Sequence, residues 1–123
     1  MSTKLQMVPL IGIDTPDNQA TCGVPTRLRF DMEEANRLAA LAKALGHPVR
    51  VQIVDLLSRY EGEVCVCEIE RHFSLTQPTI SHHLKVLRDM GLIDSEQRGL
   101  WVYYHLNRRA LDPLRALLHD LGE

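Results

Sequence analysis

The stretch Thr76-Gln77-Pro78-Thr79-Ile80-Ser81-His82-His83-Leu84-Lys85-Val86-Leu87 decides the fold. Thr76 is a good helix cap, and Pro78 suits a first helical turn because its missing N–H would have no partner there. Ile80, Leu84 and Leu87 recur at helical spacing, and Gly91 ends the run. The opposite face carries Gln77, Thr79, Ser81, His82 and Lys85. Just upstream, Ser74-Leu75 makes a short turn. Before it, a helix is expected from the cysteines at Cys65 and Cys67 to about Phe73, with Ile69 and Phe73 on its core side. Two helices joined by so short a turn form a helix-turn-helix.

Beyond Gly91 the period changes. Leu92 to Gln97 and Leu100 to Leu106, rich in Ile, Trp, Val and Tyr, read as two strands with Arg98-Gly99 as the tight turn between them. A strand pair in this position is a wing. Upstream, Asp31 followed by Glu34 makes a capping box, with Phe30 and Ala35 as its hydrophobic staple. A first helix then buries Ala35, Leu38, Leu41, Ala42 and Leu45 and stops at Gly46. Pro48 opens a second, with Ile53, Leu56, Leu57 and Tyr60 on its inner face and Gly62 at its end. Leu111, Leu114, Leu117, Leu118 and Leu121 mark a last amphipathic helix with Pro113 in its first turn. The expected architecture is mainly α with a small β-hairpin: a winged helix-turn-helix of five helices plus a two-stranded wing. It spans residues 30–123. Residues 1–29, punctuated by Pro9, Gly12, Pro16, Gly23 and Pro25, read as a flexible arm.

A chain of 123 residues that is 45% hydrophobic is long enough and apolar enough for one domain with its own core. The formal net charge of -2 does not mark a polyanion binder. Its distribution says more. From Thr76 to Arg109, the cations Lys85, Arg88, Arg98, Arg108 and Arg109 outnumber the acids Asp89, Asp94 and Glu96, and His82, His83 and His105 lie among them. A locally basic face on an acidic body is compatible with nucleic acid. The three cysteines, Cys22, Cys65 and Cys67, give no closed disulfide framework, which fits free thiols in a reducing cytosol. No run approaches the roughly 18 apolar residues of a membrane span. The apolar patch from Val8 to Ile13 is broken by Pro9 and Gly12 and is too short for a secretory signal, so a cytoplasmic protein is expected. No nucleophile with its base and orienter, no phosphate loop and no framed carboxylate pair is present, which excludes an enzyme and a catalytic cofactor.

A DNA-reading helix needs short polar side chains near its N-terminus, where they reach base edges and phosphates. Gln77, Thr79, Ser81 and His82 meet that need, since Gln pairs with adenine and Thr or Ser serves bases or phosphate. Lys85 and Arg88 read as phosphate contacts, which position without specifying. Arg98 at the wing tip is placed for phosphates or the minor groove. His82 and His83, about 100° apart on a helix, cannot form a metal pair. One is expected to face DNA and the other to pack or cap.

The thiols make a second constellation. In an ideal helix Cys65 and Cys67 lie about 200° apart and cannot share an ion. In an extended segment they lie on one side, roughly 6.6 Å apart at the backbone. They can chelate only if the third helix begins extended, frayed or bent, and ion binding would then strain the helix-turn-helix. Thiolates near a helix N-terminus are expected to have lowered pKa values, and soft thiolates favour soft ions. The alternatives are a pair of small buried residues or a redox-sensing pair. Strain in a disulfide between residues two apart counts against the redox reading.

Glu63-Val64-Cys65-Val66-Cys67-Glu68, the recognition string from Thr76 to Leu87, and Arg98-Gly99-Leu100-Trp101-Val102-Tyr103-Tyr104 together resemble the ArsR/SmtB family of metal-responsive winged-helix repressors. The resemblance covers residues 31 to 121. It implies a homodimer joined through the first and last helices, which binds operator DNA without the inducing ion and releases it with the ion. The Cys-Val-Cys pair is similar to the family's thiolate-using branches, which sense arsenite and antimonite or cadmium and lead. Where an arsenite site of the Cys-x-Cys-x-x-Cys type has its third cysteine, this chain has Glu70. Cys22 is the remaining sulfur that could complete a three-thiol site, from the same or the partner subunit. Without it, a two-sulfur site would suit methylarsenite. Having only Cys22 in the arm favours arsenic over cadmium or lead. The family's zinc site on the last helix is not expected, because Leu114 and Gly122 stand where two of its ligands would be.

Overall fold

The computed structural model describes residues 27–122. The chain divides between Asp31 and Met32, and the second unit carries every helix and strand among the described residues. These are α1 (Met32–Ala44), α2 (Pro48–Ser58), β1 (Val64–Cys65), α3 (Val66–Glu70), α4 (Gln77–Asp89), β2 (Ile93–Arg98), β3 (Trp101–Leu106) and α5 (Asp112–Leu121), the last preceded by a 3-10 turn at Arg108–Leu111. The architecture is the winged helix-turn-helix. None of the described helices is long and apolar enough to cross a membrane.

Most helix starts follow local chemistry. Thr76 caps α4, its hydroxyl accepting from the Thr79 N–H at 3.4 Å. His47 caps α2 through Nδ1, which accepts from the Val49 N–H at 3.1 Å, and Pro48 follows it in the first turn. The α4 terminus is a Schellman motif. Gly91 takes φ +77, and the Leu92 N–H reaches back to the Leu87 carbonyl at 3.0 Å.

The core collects buried side chains from α1 to α4 and from the three strands. Ile80, Leu84 and Leu87 of α4 are fully buried against Ile53 and Leu57 of α2, Ile69 of α3, and Leu92 and Ile93 at the start of the wing. In α1 the buried positions are Leu41 and Ala44, while Ala42 is exposed. The apolar stripe therefore lies nearer the end of α1 than its spacing indicated. Tyr60, expected on the inner face of α2, is half exposed because the helix ends at Ser58, before that residue.

The sheet differs most from expectation. It has three strands in the order β1-β3-β2, not two. Val64 pairs with Tyr104 and Cys65 with Tyr103, so the cysteine segment is the outer strand of the wing sheet. The third helix correspondingly begins at Val66 and ends at Glu70, with turns continuing to Phe73. Both wing strands start one residue later than read, and β3 ends at Leu106 as expected. Arg98 closes β2 opposite Trp101, and the turn is Gly99-Leu100, with Gly99 at φ +63.

Candidate functional site

Cys65 sits where strand becomes helix. Its backbone is extended (φ -64, ψ 143) and it caps α3, the Sγ accepting from the Cys67 N–H at 3.4 Å. That kink removes the obstacle an unbroken helix would pose. The two Sγ atoms approach to 2.7 Å, beyond the roughly 2.05 Å of a disulfide. Both thiols are free, Cys65 buried and Cys67 half-buried. Contrary to the expected lowering, the Cys67 thiol is pushed up. The hydrogen bond with Cys65 comes first among the causes, burial second and the Cys65 charge third, with Arg71 opposing them. Two sulfurs this close cannot easily both ionise, and that outweighs the helix terminus. Cys22 lies outside the described residues. Among the described residues, no three His, Cys, Asp or Glu side chains cluster to hold a metal. Glu70, at the position of the third cysteine, has one buried carboxylate oxygen without a hydrogen-bond partner.

α4 presents Gln77, Thr79, Ser81, His82, Lys85 and Arg88 on its exposed face. Several of them are already engaged. The Thr79 hydroxyl meets that of Thr76 at 2.9 Å, Lys85 pairs with Asp89 at 2.8 Å, and Arg88 donates to the Ser95 hydroxyl at 3.5 Å. Of the adjacent histidines, His82 is exposed and His83 is buried. Arg98 is not a free wing cation. It pairs with Glu63 and, at 3.1 Å, with Glu96, and its guanidinium lies over the Tyr103 ring.

Arg50 and His47 were not singled out from the sequence. Arg50 donates through Nε to the Ala44 carbonyl at 2.7 Å and through a terminal nitrogen to His83 Nδ1 at 3.1 Å. It thus ties the end of α1 and the middle of α4 to α2. His83 accepts there only as a neutral imidazole. Burial holds its pKa below the ordinary value of about 6.5, helped by His47, Arg50 and His82. A native pKa below the unfolded one gives stability that is fully present above the unfolded value. That stability is lost as pH falls through the native value. Urea unfolding is therefore expected to show a drop between pH 7.5 and pH 5 that is smaller in His83→Gln. An equal drop in both proteins would remove His83 as a cause.

Residues 47–95 match the family model described as "Bacterial regulatory protein, arsR family". An uncharacterized HTH-type transcriptional regulator of Methanocaldococcus jannaschii is 39% identical over 90 residues, covering 73% of this chain and 100% of that protein. The arsenical resistance operon repressor of Staphylococcus xylosus is 43% identical over 75 residues, covering 61% of this chain and 70% of that one. The crystal structure of the transcriptional repressor BigR from Xylella fastidiosa superposes with a TM-score of 0.58 at 39% identity, covering 74% of this chain and 93% of that one. With its helix-turn-helix, its wing and these relatives, the chain belongs to the arsR family of bacterial regulatory proteins and is a DNA-binding transcriptional repressor, not an enzyme.

Proposed function

We propose that the protein is a cytoplasmic, homodimeric repressor that trivalent arsenic or antimony releases from its operator by binding Cys65 and Cys67. The observation that carries this reading is the approach of the two sulfurs to 2.7 Å at the junction of the wing sheet and the first helix of the helix-turn-helix. An ion held there draws on both DNA-contacting elements at once. Relatives named arsenical resistance repressors support the choice of ion. In this reading Gln77, Thr79, Ser81 and His82 read the operator, and Lys85, Arg88 and Arg98 hold phosphates. Cys22 completes a three-thiol site for arsenite or antimonite. The pair alone serves methylarsenite.

Arsenic and cadmium or lead differ in the proton balance of binding. Arsenite is a neutral hydroxide. For each As–S bond formed, one S–H and one As–OH are lost and one water leaves, so no net proton is released. A divalent cation must displace the thiol protons into solution, at a cost that grows with the thiol pKa. Cadmium and lead remain the second reading, separated from the first by whether binding acidifies a weakly buffered solution.

Cys65→Ser and Cys67→Ser are each expected to leave operator affinity within about twofold of wild type and to abolish ion-driven release. Allosteric couplings typically amount to about 5- to 150-fold, and all of that response should disappear. If both variants lose operator binding in the absence of any ion, the cysteines are structural instead.

A further inference from the structure

We propose that Glu63 is a positioning residue that couples the thiol pair to the wing by holding Arg98 over Tyr103. The register places these groups together. Side chains alternate across a sheet, so with Val64 and Tyr104 on one face, Cys65 and Tyr103 share the other. On β2, Glu96 lies opposite Tyr103, and Arg98 is two residues further along the same face. Glu63, two residues before Cys65, returns to that face, where its carboxylate pairs with Arg98. The second Glu63 oxygen faces His105 Nδ1 at 3.8 Å, and the other nitrogen of that ring faces Asp94 at 3.6 Å. The Glu63 side chain is only 20% exposed, so this is a partly sheltered link rather than a loose surface pair.

The link joins elements far apart in sequence. Cys65 lies directly opposite Tyr103 in the sheet, Tyr103 carries the Arg98 guanidinium 5.0 Å above its ring, and Arg98 returns to Glu63. Any change in the path of β1 at the thiols moves the carboxylate that orients Arg98. Conversely, Arg98 cannot turn toward a DNA phosphate without loosening its hold on the cysteine strand. The physiological meaning of this coupling rests on the thiol-sensor reading, but the coupling is testable without any ion.

Coupling is reciprocal, so operator binding must alter the thiols if the thiols alter operator binding. The reduced protein is alkylated with iodoacetamide, with and without saturating operator DNA, in wild type, Glu63→Gln and Tyr103→Leu. Operator is expected to change the wild-type alkylation rate on the order of fivefold. That ratio should fall toward one in both variants, with operator affinity kept within about fivefold. Simple shielding by DNA would persist in the variants and so overturns the proposal, as does a wild-type rate indifferent to operator. Using both variants keeps the test decisive if one of them folds poorly. Failure of arsenite to release wild type would count against the sensor reading alone and leave this result standing.

Discussion

Leu118→Glu is expected to convert the protein from dimer to monomer and to weaken operator binding by about 10²- to 10⁴-fold. The amphipathic last helix has no fully buried residue. Leu118 is 59% and Leu121 71% exposed, and Met32 at the start of α1 is 74% exposed. α1 packs against α5, so these side chains belong to one two-helix layer. An apolar stripe left uncovered on a folded chain calls for a partner surface. In the proposed homodimer a second copy supplies one, which also accounts for the steepness of the expected loss. Helix-turn-helix dimers engage two half-sites, and the second is bound at the high effective concentration set by the first. A charge at position 118 removes that advantage without touching α4. Light scattering and operator anisotropy on the same sample check both parts. A variant that stays dimeric with unchanged operator affinity would place the interface elsewhere.

Leu84→Ala is expected to cost about 2–5 kcal/mol of folding stability. Leu84 is 1% exposed and lies between Ile80 and Leu87, both fully buried, at the centre of the core cluster. The removed methyls leave a cavity among neighbours drawn from α2, α3 and β2, which cannot all collapse into it. The same stripe seats the recognition helix, so operator binding should weaken in step with stability. Denaturant unfolding of the reduced protein measures the loss. A cost below about 1 kcal/mol would mean the α4 seat is far more plastic than its packing indicates.

The helices were legible because their signals are local. Thr76, Pro78 and the Ile80, Leu84, Leu87 stripe each act within one or two turns, and α4 follows from them alone. The third strand was not legible. Two residues, Val64 and Cys65, are too few to show a period, and their extended state comes from pairing with Tyr104 and Tyr103 almost forty positions later. Once that strand is missed, the place of Glu63 beside Arg98 is missed with it. The Arg50 clamp on His83 is equally non-local, and His47 lies outside the usual set of capping residues. The thiol pair shows both sides of this. Its spacing stated the condition for shared binding, a break between strand and helix, and long-range pairing supplies that break. The direction of the Cys67 pKa was misjudged because the nearness of the second sulfur was not visible from spacing.

Operator-DNA anisotropy of the reduced protein, titrated in parallel with arsenite, antimonite, methylarsenite, cadmium, lead and zinc, tests the central claim most directly. The expected result is release by the trivalent arsenicals and antimonite, with Cys22→Ser weakening the response to arsenite more than the response to methylarsenite. Release by cadmium or lead alone would contradict the arsenic reading, and release by none of the six would contradict the thiol sensor itself.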